Sequence, residues 1–314
     1  ILPILNEEPY LADSVRSILT QDYQGTIEIV LAVGPSRDRT HEIADQLHRE
    51  DSRVIVVSNP TGRTAAGLNI ALRASSGSVI VRVDGHAQIP QNYISIAVAL
   101  LAETGAVNVG GMMAAKGVTT FERAVAAAMR SPLGVGASRF HTGGVAGEVD
   151  TVYLGAFRRE ALLAIGGFDE RFTRAQDWEL NFRLRENGGI VYFDPRLQVI
   201  YRPRPNLRAL AKQYFEYGRW RRVVSRRHAG TINYRYLAPP VALLGFTTSL
   251  LLGALIHPIL FIPAAIYCLF AVIASVKIAQ TFRENLILLL VIPTMHFAWG
   301  AGFLTSPKSL VPKD

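Results

Sequence analysis

The segment SVIVRVDGHAQIPQNYI, residues 78–94, joins a hydrophobic strand to a polar turn. Residues 79–83 are rich in β-branched side chains and predict a buried strand, which ends at Asp84-Gly85-His86. Because residues i and i+2 of an extended backbone project to the same side, Asp84 and His86 are placed to share one divalent cation. A carboxylate with an imidazole suits Mn²⁺ or Mg²⁺, and the glycine lets a phosphate approach the backbone. The alternative is a solvated turn with an incidental histidine.

Strand and helix patterns alternate on the N-terminal side of this segment. Predicted strands cover residues 1–5, 27–33, 54–57 and 79–83, and predicted helices cover residues 7–19, 39–50 and 64–74. Strands separated by helices of this size predict βαβ units and a mostly parallel sheet. Ligands bind such sheets beyond the carboxyl ends of the strands, where Asn6, Asp38 and Asp84 all fall. We therefore expect one cleft that contains these three side chains.

The segment that follows is less regular. Residues 110–155 are glycine-rich and poorly periodic, which favours loops and short strands over an active site, or else a flexible connector. A later helix, predicted in AQDWELNFRLRENG, ends at Gly188 as the glycine that follows the last turn. Asp177 lies early in this helix, where a carboxylate can act as a general base or cap the helix. Its neighbour Trp178 is interpreted as core packing or as a surface for stacking a sugar ring.

The C-terminal third differs sharply from the rest of the 314-residue chain. Residues 237–255, 258–276 and 286–304 carry no charged side chain, and each segment is about as long as the ~20 residues that cross a bilayer. Basic residues crowd between positions 202 and 235 and account for much of the net charge of +8. Lysine and arginine beside a span mark the cytoplasmic side. The positive charge therefore indicates a membrane surface rather than a nucleic acid as the partner.

Three spans predict a definite topology. The turn at Ile256-His257 lies on the far side, the loop at 277–285 lies on the cytoplasmic side, and the tail with Lys308 and Lys313 lies on the far side. Those two lysines disagree with the rule that places basic residues in the cytoplasm. The single cysteine, Cys268, falls in the second span, so no disulfide forms within the chain. The chain starts at Ile1, inside a predicted strand, and we expect natural residues before it.

An amphipathic basic helix is predicted between residues 201 and 235. In NLRALAKQYFEYGRWRRVVSRRH one stripe is apolar and aromatic, and it contains Leu207, Leu210, Tyr214, Tyr217, Trp220 and Val224. Arginines and lysine fall mainly elsewhere on the helix. Such a helix favours a membrane interface, with packing on a soluble domain as the alternative.

Several motifs together resemble family 2 glycosyltransferases with the GT-A nucleotide-sugar fold. ILPILNEEPY is similar to the opening P-x-x-N-E segment of that family, PSRDRT to its G-S-x-D-x-T turn, and NPTGRTAAGLNIAL to a helix entry. Asp84-Gly85-His86 takes the place of the D-x-D metal motif, GAFRREALLAIGGFDERF resembles the acceptor-side segment, and Asp177 stands at the catalytic base. The variants VDGHA and QYFEYGRWR, followed by C-terminal spans, are similar to bacterial exopolysaccharide-type members.

The resemblance implies an α/β fold and a set of site residues. Asp177 would be the catalytic base, and Asp84 and His86 would hold Mn²⁺ or Mg²⁺. The residues that would bind the donor are Pro3, Leu5, Glu7, Asp38, Asn69, Arg82 and Asp84. The residues that would line the acceptor and diphosphate side of the site are Asp150, Gly155, Arg158, Trp178, Arg219 and Trp220.

Three departures from the family pattern bear on these roles. Val33-Gly34 replaces the usual acids before the G-S-x-D-x-T turn, and Pro35 replaces its glycine, which leaves the nucleotide open. Gln176 replaces the acid before the base, so Asp177 ionises more readily. Gln213 and Arg219-Trp220 are spaced more widely than the Q-x-x-R-W motif of processive synthases, which favours transfer of one sugar.

The prediction is thus a GT-A domain at 1–200, interfacial helices at 201–235 and three transmembrane helices at 236–314. The expected activity is an inverting, metal-dependent transfer of one sugar from a nucleotide-sugar donor to a membrane-presented, lipid-linked acceptor. We expect the inner membrane, with a cytoplasmic catalytic domain and no nucleic-acid partner. The alternatives are a nucleotidyltransferase that makes activated sugars and a catalytically inactive membrane scaffold for glycan enzymes.

Overall fold

A computed structural model describes residues 1–312, which form two compact units. The first unit comprises Ile1–Ala114 and Gly143–Tyr201, and the second comprises Ala115–Thr142 together with the residues from Arg202 onward. The three-domain division at residues 200 and 235 stays a prediction.

The first part of the chain alternates strands and helices as expected. Its elements are β1 (Leu2–Ile4), α1 (Leu11–Leu19), β2 (Ile29–Val33), α2 (Thr40–Glu50), β3 (Val54–Ser58), α3 (Thr64–Ala74) and β4 (Val79–Val81). Strands β1, β2 and β3 form a parallel sheet in which Leu2 pairs with Leu31 and Ile29 pairs with Val54. Every residue of β2 is buried, as in a strand covered by helices on both faces. The predicted α/β class with parallel strands is confirmed.

The chain continues with shorter and more varied elements. They are α4 (Tyr93–Thr104), β5 (Asn108–Ala115), α5 (Thr120–Met129), α6 (Pro132–Val135), α7 (Arg139–Thr142), β6 (Gly147–Glu148), β7 (Tyr153–Arg158), α8 (Arg159–Ala164), α9 (Gln176–Glu186) and β8 (Val191–Tyr201). A second sheet has the strand order β4-β7-β5-β8-β6, and β7 runs antiparallel to both β4 and β5.

The two sheets meet at the first residue. The Ile1 amino group donates to the Val81 carbonyl at 2.8 Å, and the Val83 N–H donates to the Ile1 carbonyl at 3.2 Å. This is the hydrogen-bond pattern of a parallel pair, so β1 and β4 lie side by side. The carboxyl ends of β1, β2 and β4 therefore open on one edge, where the polar segments begin.

The glycine-rich stretch contains more regular structure than the sequence predicts. Strand β5 runs through Gly110 and Gly111, and a Cβ atom at Gly111 would lie 1.8 Å from the Leu197 carbonyl oxygen. These glycines thus serve close packing of two strands rather than loop flexibility. Helix α5 begins with a capping box in which the Thr119 hydroxyl accepts from the Glu122 N–H and the Glu122 carboxylate accepts from the Thr119 N–H.

The second unit is almost entirely helical. Its elements after α7 are α10 (Leu207–Arg227), α11 (Tyr234–Leu255), a 3₁₀ turn (Pro258–Phe261), α12 (Ile262–Ile278), α13 (Phe282–Thr305) and a second 3₁₀ turn (Lys308–Leu310). Three helical segments of the described chain are long and apolar enough to cross a membrane, namely Tyr234–Leu255, Pro258–Ile278 and Phe282–Thr305. Their positions agree with the predicted spans.

Helix α10 matches the predicted amphipathic helix, and its buried side chains pack against α13. Leu210, Tyr214, Trp220 and Val224 of the predicted stripe are buried, but Leu207 and Tyr217 are exposed. The buried stripe is therefore narrower than predicted. Gly218, which has no side chain, lets the backbone of α10 approach α13, because a Cβ atom on it would lie 1.9 Å from the Trp299 carbonyl oxygen. Location of α10 at a membrane interface stays a prediction.

Candidate active site

Because Gly85 has no side chain, the loop that follows β1 (the first loop) can approach the predicted metal motif, Asp84-Gly85-His86. A Cβ atom on Gly85 would lie 2.9 Å from both Glu7 Cγ and Ile4 Cδ1. A side chain at this position would push the N-E segment away from the end of β4. The glycine between Asp84 and His86 thus makes room for the first loop, a role additional to the predicted approach of a phosphate.

Glu7 and His86 form a pair across the cleft. The His86 Nδ1 atom lies 2.8 Å from Glu7 Oε1, and the Glu7 side chain is largely buried. A histidine that binds a metal commonly donates its second ring N–H to a carboxylate, which fixes the ring and raises its basicity. With Nδ1 held by Glu7, Nε2 is the nitrogen that would coordinate a cation. Sequence reasoning assigned Glu7 to the nucleotide and did not find this contact.

The first loop is also fastened to the loop after β2. Thr40 Oγ1 accepts from the Glu7 N–H at 2.8 Å, and Asp38 accepts from the Glu8 N–H at 3.2 Å. The Thr40 hydroxyl donates to Asp38, and this bond lowers the pKa of the Asp38 carboxyl below its ordinary value. Asp38 is therefore ionised and holds the two loops together. Asn6 adds a further tie, because its side-chain oxygen accepts from the Arg37 N–H at 2.8 Å.

Pro3 and Leu5 lie at the rim of this loop cluster. Leu5 is 40% exposed, and its methyl carbons approach Gly34 and Gly62. Pro3 lies in β1, and its Cβ atom is 3.3 Å from the position of a Cβ atom on Gly67. An exposed leucine beside two glycines provides an apolar surface of the kind that a planar ring can cover.

A single arginine links the predicted metal ligand to the predicted base. Arg82 is only 4% exposed, and its Nε and Nη2 atoms donate to Asp84 Oδ1 at 3.1 and 3.0 Å. Its Nη1 atom donates to Asp177 Oδ1. The Arg82 backbone N–H donates to the Gly155 carbonyl at 3.1 Å, which fixes the position of the arginine directly after β4. The structure therefore brings Asp84, Asp177 and Gly155 together around Arg82.

The electrostatic setting of Asp177 suits a base. Partial burial raises the pKa of the Asp177 carboxyl above its ordinary value of 3.8. The positive charge of Arg82 lowers the pKa, and the negative charge of Asp84 raises it again, so the net direction is upward. A raised pKa increases the proton affinity of the carboxylate, which is what abstraction of a hydroxyl proton requires.

Helix α9 holds Asp177 in place through a buried chain of amides. Asn181, one turn after Asp177, accepts from Asn108 Nδ2 at 2.6 Å and donates to Thr151 Oγ1 at 3.0 Å. Asn108 is fully buried in β5. The helix is also anchored by Arg183, which pairs with Glu179 at 2.7 Å and donates to the Ile165 and Gly167 carbonyls. These polar contacts fix the helix against the sheet.

Other predicted site residues have structural contacts. Asn69 exchanges two hydrogen bonds with the Phe168 backbone and a third with Glu170. Arg158 donates to the Ala106 and Leu101 carbonyls. Trp178 is buried, with its ring stacked 6.3 Å from that of Phe182. These contacts organise the fold around the cleft, and the ligand-binding roles assigned to the three residues stay predictions.

The remaining predicted residues are Asp150, Arg219 and Trp220. Asp150 lies next to Thr151, the residue that accepts from Asn181, and is partly buried. Arg219 and Trp220 lie in α10, where Arg219 pairs with Glu216 at 3.1 Å and Trp220 is buried. Their predicted roles toward a diphosphate stay predictions.

The residues around Asp84 fit one divalent cation if the donor supplies further ligands. Among residues 1–312 there is no group of three or more histidine, cysteine, aspartate or glutamate side chains arranged to hold a metal ion by itself. Asp84 and His86 would provide one oxygen and one nitrogen ligand, and the Glu7 carboxylate lies against the imidazole. A carboxylate and an imidazole suit Mn²⁺, which commonly completes its coordination with phosphate oxygens and water.

Comparison with known proteins adds an independent line of evidence. Residues 1–166 match the family model described as glycosyl transferase family 2. The succinoglycan biosynthesis protein ExoA of Rhizobium meliloti (strain 1021) is 31% identical over 308 residues, which cover 96% of this chain and 92% of that protein. A dolichyl N-acetyl-α-D-glucosaminyl phosphate 3-β-D-2,3-diacetamido-2,3-dideoxy-β-D-glucuronosyltransferase of Methanococcus voltae is 23% identical, with coverage of 91% and 88%.

Solved structures show the same fold. The mannosyltransferase PcManGT of Pyrobaculum calidifontis, in complex with GDP-Man and Mn²⁺, superposes with a TM-score of 0.60 at 18% identity and covers 97% of this chain and 85% of that one. Residues 1–349 of TarS of S. aureus, in complex with UDP-GlcNAc, give a TM-score of 0.53 at 16% identity, with coverage of 97% and 89%. At these identities the likeness concerns the fold alone.

Proposed function

Because the chain belongs to glycosyl transferase family 2, we propose that it transfers one sugar from a nucleotide-sugar donor to a membrane-presented, lipid-linked acceptor, with inversion at the anomeric carbon. The pathway is assembly of a bacterial surface polysaccharide or exopolysaccharide. The similarity to ExoA over almost the whole of both chains supports this assignment. The observation that carries the mechanism is the contact of one buried guanidinium with both Asp84 and Asp177.

Asp84 and His86 would hold the divalent cation, with Glu7 orienting the imidazole. When bound, the cation would neutralise negative charge on the leaving nucleoside diphosphate. Two solved relatives of this fold were studied with UDP-GlcNAc or with GDP-Man and Mn²⁺, which supports a nucleotide-sugar donor and a divalent ion. Leu5 and Asp38 border the place where the nucleotide would lie.

Asp177 would accept the proton of the acceptor hydroxyl. Deprotonation makes the oxygen a stronger nucleophile, and attack from the face opposite the leaving group inverts the anomeric carbon. The new glycosidic bond forms as the bond between the anomeric carbon and the diphosphate oxygen breaks, and the proton remains on Asp177. Its raised pKa is consistent with this role.

Arg82 would act as a positioning residue between the two halves of this reaction. Its guanidinium has a planar fork that binds two carboxylates in fixed directions, which a lysine ammonium cannot do. It would keep the base at a constant distance from Asp84 and therefore from the donor diphosphate. Arg82 is almost fully buried, so contact with a donor would require either carboxylate to move.

The three apolar helical segments support a membrane location. We infer that the protein resides in the inner membrane and that its catalytic domain faces the cytoplasm. The basic residues of α10 precede the first span and support this orientation. A lipid-linked acceptor would then be presented at the same surface.

The test is a donor screen with the purified full chain in lipid nanodiscs. Nucleotide sugars based on UDP and GDP are each supplied with Mn²⁺ and an extract of bacterial lipid-linked saccharides. Release of a nucleoside diphosphate together with a labelled lipid product supports the proposal, and NMR of the product gives the anomeric configuration. A parallel reaction is supplied with a nucleoside triphosphate and a sugar 1-phosphate, and release of pyrophosphate there would indicate a nucleotidyltransferase instead. Retention of configuration in the transfer product would contradict the single-displacement mechanism.

A further inference from the structure

Helix α10 cannot cross a bilayer. Its 21 residues include seven basic side chains, at positions 208, 212, 219, 221, 222, 226 and 227. Each lysine or arginine placed at the centre of a membrane costs roughly 2.5–3.5 kcal/mol even on the most permissive scale. No helix of residues 1–233 has the length and hydropathy of a span. All residues that precede α11, including α5 and α10, therefore lie on one side of the membrane.

The start of α13 is bound by Arg123 of α5, a residue that precedes α11. Glu284, in the first turn of α13, is only 4% exposed, and its Oε1 atom lies 3.3 Å from Nε of Arg123 in α5. Thr281 caps the helix by accepting from the Glu284 N–H at 3.2 Å. The Arg123 guanidinium also donates to the Val118 carbonyl at 2.9 Å. The N-terminal end of α13 thus lies beside α5.

The end of α13 is held by α10. Arg226 Nη1 donates to the Ser306 carbonyl at 2.8 Å, and the Ser306 hydroxyl donates to the Arg219 carbonyl at 3.0 Å. A Cβ atom on Gly302 would lie 1.9 Å from the Phe215 carbonyl oxygen, so the two helix backbones are in close contact. No other pair of described elements shares so extensive a contact as α10 and α13.

A spanning α13 would place these two attachments on opposite sides of the membrane. Glu284 and Ser306 are separated by 22 residues, which is about 33 Å along a helix. The hydrocarbon core of a bilayer is about 30 Å thick, so a spanning α13 would place its two ends on opposite sides. Arg123 and Arg226 are on the same side, however, because no span separates them in the chain. The contacts at both ends are incompatible with a spanning α13.

The exposure pattern agrees with this conclusion. None of residues 291–303, the central and C-terminal part of α13, is exposed. Exposed apolar side chains are confined to Phe282, Leu286 and Leu290 near the start and Leu304 at the end. By contrast, α11 and α12 expose apolar side chains along their whole length, as lipid-facing helices do.

The contacts between α13 and the other two helices indicate a crossing. Phe297 packs on Phe246 of α11 and Tyr267 of α12, with ring centroids 5.1 and 4.7 Å apart. A Cβ atom on Gly300 would lie 2.7 Å from the Pro239 carbonyl oxygen. The short stretch from Phe297 to Gly300 therefore meets a longer stretch of α11, from Pro239 to Phe246. A short stretch of one helix in contact with a longer stretch of another fits two helices that cross at an angle.

From these observations we propose that only α11 and α12 cross the membrane, as a hairpin, and that α13 lies in the plane of the membrane beside α10. The pair forms a platform whose partner is the lipid surface. Its apolar edge, with Phe282, Leu286 and Leu290, enters the boundary of the acyl chains. Lys308 then lies on the same side as the arginines of α10. Lys308 thus agrees with the rule that basic residues beside a span lie on the cytoplasmic side.

Thiol labelling in intact cells tests this topology. The background is Cys268→Ala, which removes the single cysteine. Ala229→Cys marks the side of α10, His257→Cys marks the hairpin turn, and Ser309→Cys marks the residues after α13. A membrane-impermeant maleimide is added to bacterial cells before and after permeabilisation. Ser309→Cys should label as Ala229→Cys does and opposite to His257→Cys.

The proposal would be overturned if Ser309→Cys were labelled under the same condition as His257→Cys, before or after permeabilisation, and Ala229→Cys under the other. A fusion of alkaline phosphatase after Leu310 gives the same information without relying on thiol exposure, because this enzyme is active only outside the cytoplasm. An inactive fusion is expected, with an active fusion after His257 as the matched control. An active fusion after Leu310 would also overturn the proposal. Neither readout involves sugar transfer, so the result is independent of the proposed function.

Discussion

Asp84 and Asp177, from distant parts of the chain, bind the same guanidinium group. Arg82 donates two hydrogen bonds to Asp84 and one to Asp177, and the arginine itself is almost fully buried. The residue proposed to act on the donor and the residue proposed to deprotonate the acceptor are thereby joined by one buried cation. This arrangement leads to predictions for Arg82, for Asp177 and for the residues that surround them.

Two substitutions of Arg82 should distinguish its role in positioning the two carboxylates from the effect of its positive charge. Arg82→Met leaves two carboxylates without their shared cation, so a loss of stability of about 3–5 kcal/mol is expected. Arg82→Lys restores the charge but cannot bind both carboxylates in fixed directions. We expect Arg82→Lys to fold and to lower kcat at least about 10-fold with a smaller change in the donor KM, measured by steady-state kinetics. A changed donor KM with an unchanged kcat would instead make Arg82 a donor-binding residue.

The rate of transfer should depend on the ionisation of Asp177. The base works only when deprotonated, so kcat should fall as the pH drops through the raised pKa of Asp177. Gln176→Glu adds a negative charge beside the base, which should raise that pKa further and move the acidic limb to higher pH. The measurement is a pH profile of kcat for both proteins. Glu186→Gln, on the exposed end of the same helix, serves as the control and should leave the profile unchanged.

The Glu7–His86 pair should control metal affinity. Loss of an outer-shell carboxylate typically weakens metal binding about 10–100-fold. Glu7→Gln should therefore raise the Kd for Mn²⁺ by about that factor in the presence of a nucleoside diphosphate, and His86→Ala should raise it at least as much. Electron paramagnetic resonance of free Mn²⁺ measures this without turnover. His41→Ala, an exposed histidine of α2, is the control, and unchanged Mn²⁺ affinity in both test variants would exclude His86 as a ligand.

The buried amide chain should contribute to stability and to the placement of the base. Asn181→Ala leaves the Asn108 amide and the Thr151 hydroxyl without their shared partner, at a cost of about 1–3 kcal/mol. The melting temperature of the detergent-solubilised chain, followed by tryptophan fluorescence, should fall. Asn187→Ala, at the exposed end of α9, should change it much less. Equal effects of the two variants would show that the buried chain has no special role.

Sequence patterns predicted the parallel βαβ portion well because each strand there carries its own local signal. The runs at 29–33 and 54–58 are rich in β-branched residues, and the family motifs follow them directly. Prediction was poorer for β5, because glycines that serve close packing against Leu197 look like loop glycines in a sequence.

The contacts inside the site were largely beyond sequence reasoning. Asp84, His86 and Asp177 stand out by motif and spacing, but nothing local shows that Arg82 joins two of them or that Glu7 binds the third. Such contacts depend on where distant segments meet in the fold. Likewise, hydropathy predicts a span at α13 but contains no information on the contacts of Arg123 and Arg226 with its two ends, on which the proposed in-plane position rests.

The most direct test of the central claim is single-turnover transfer by Asp177→Asn in the full chain, with a donor and acceptor identified by the screen. Asparagine keeps the size of the side chain but cannot accept the proton. The account predicts near-normal donor binding, a melting temperature close to that of the parent, and a rate about 10²–10⁴-fold lower that excess donor does not restore. A transfer rate close to that of the parent would contradict the account, because Asp177 would then serve only to stabilise the start of α9.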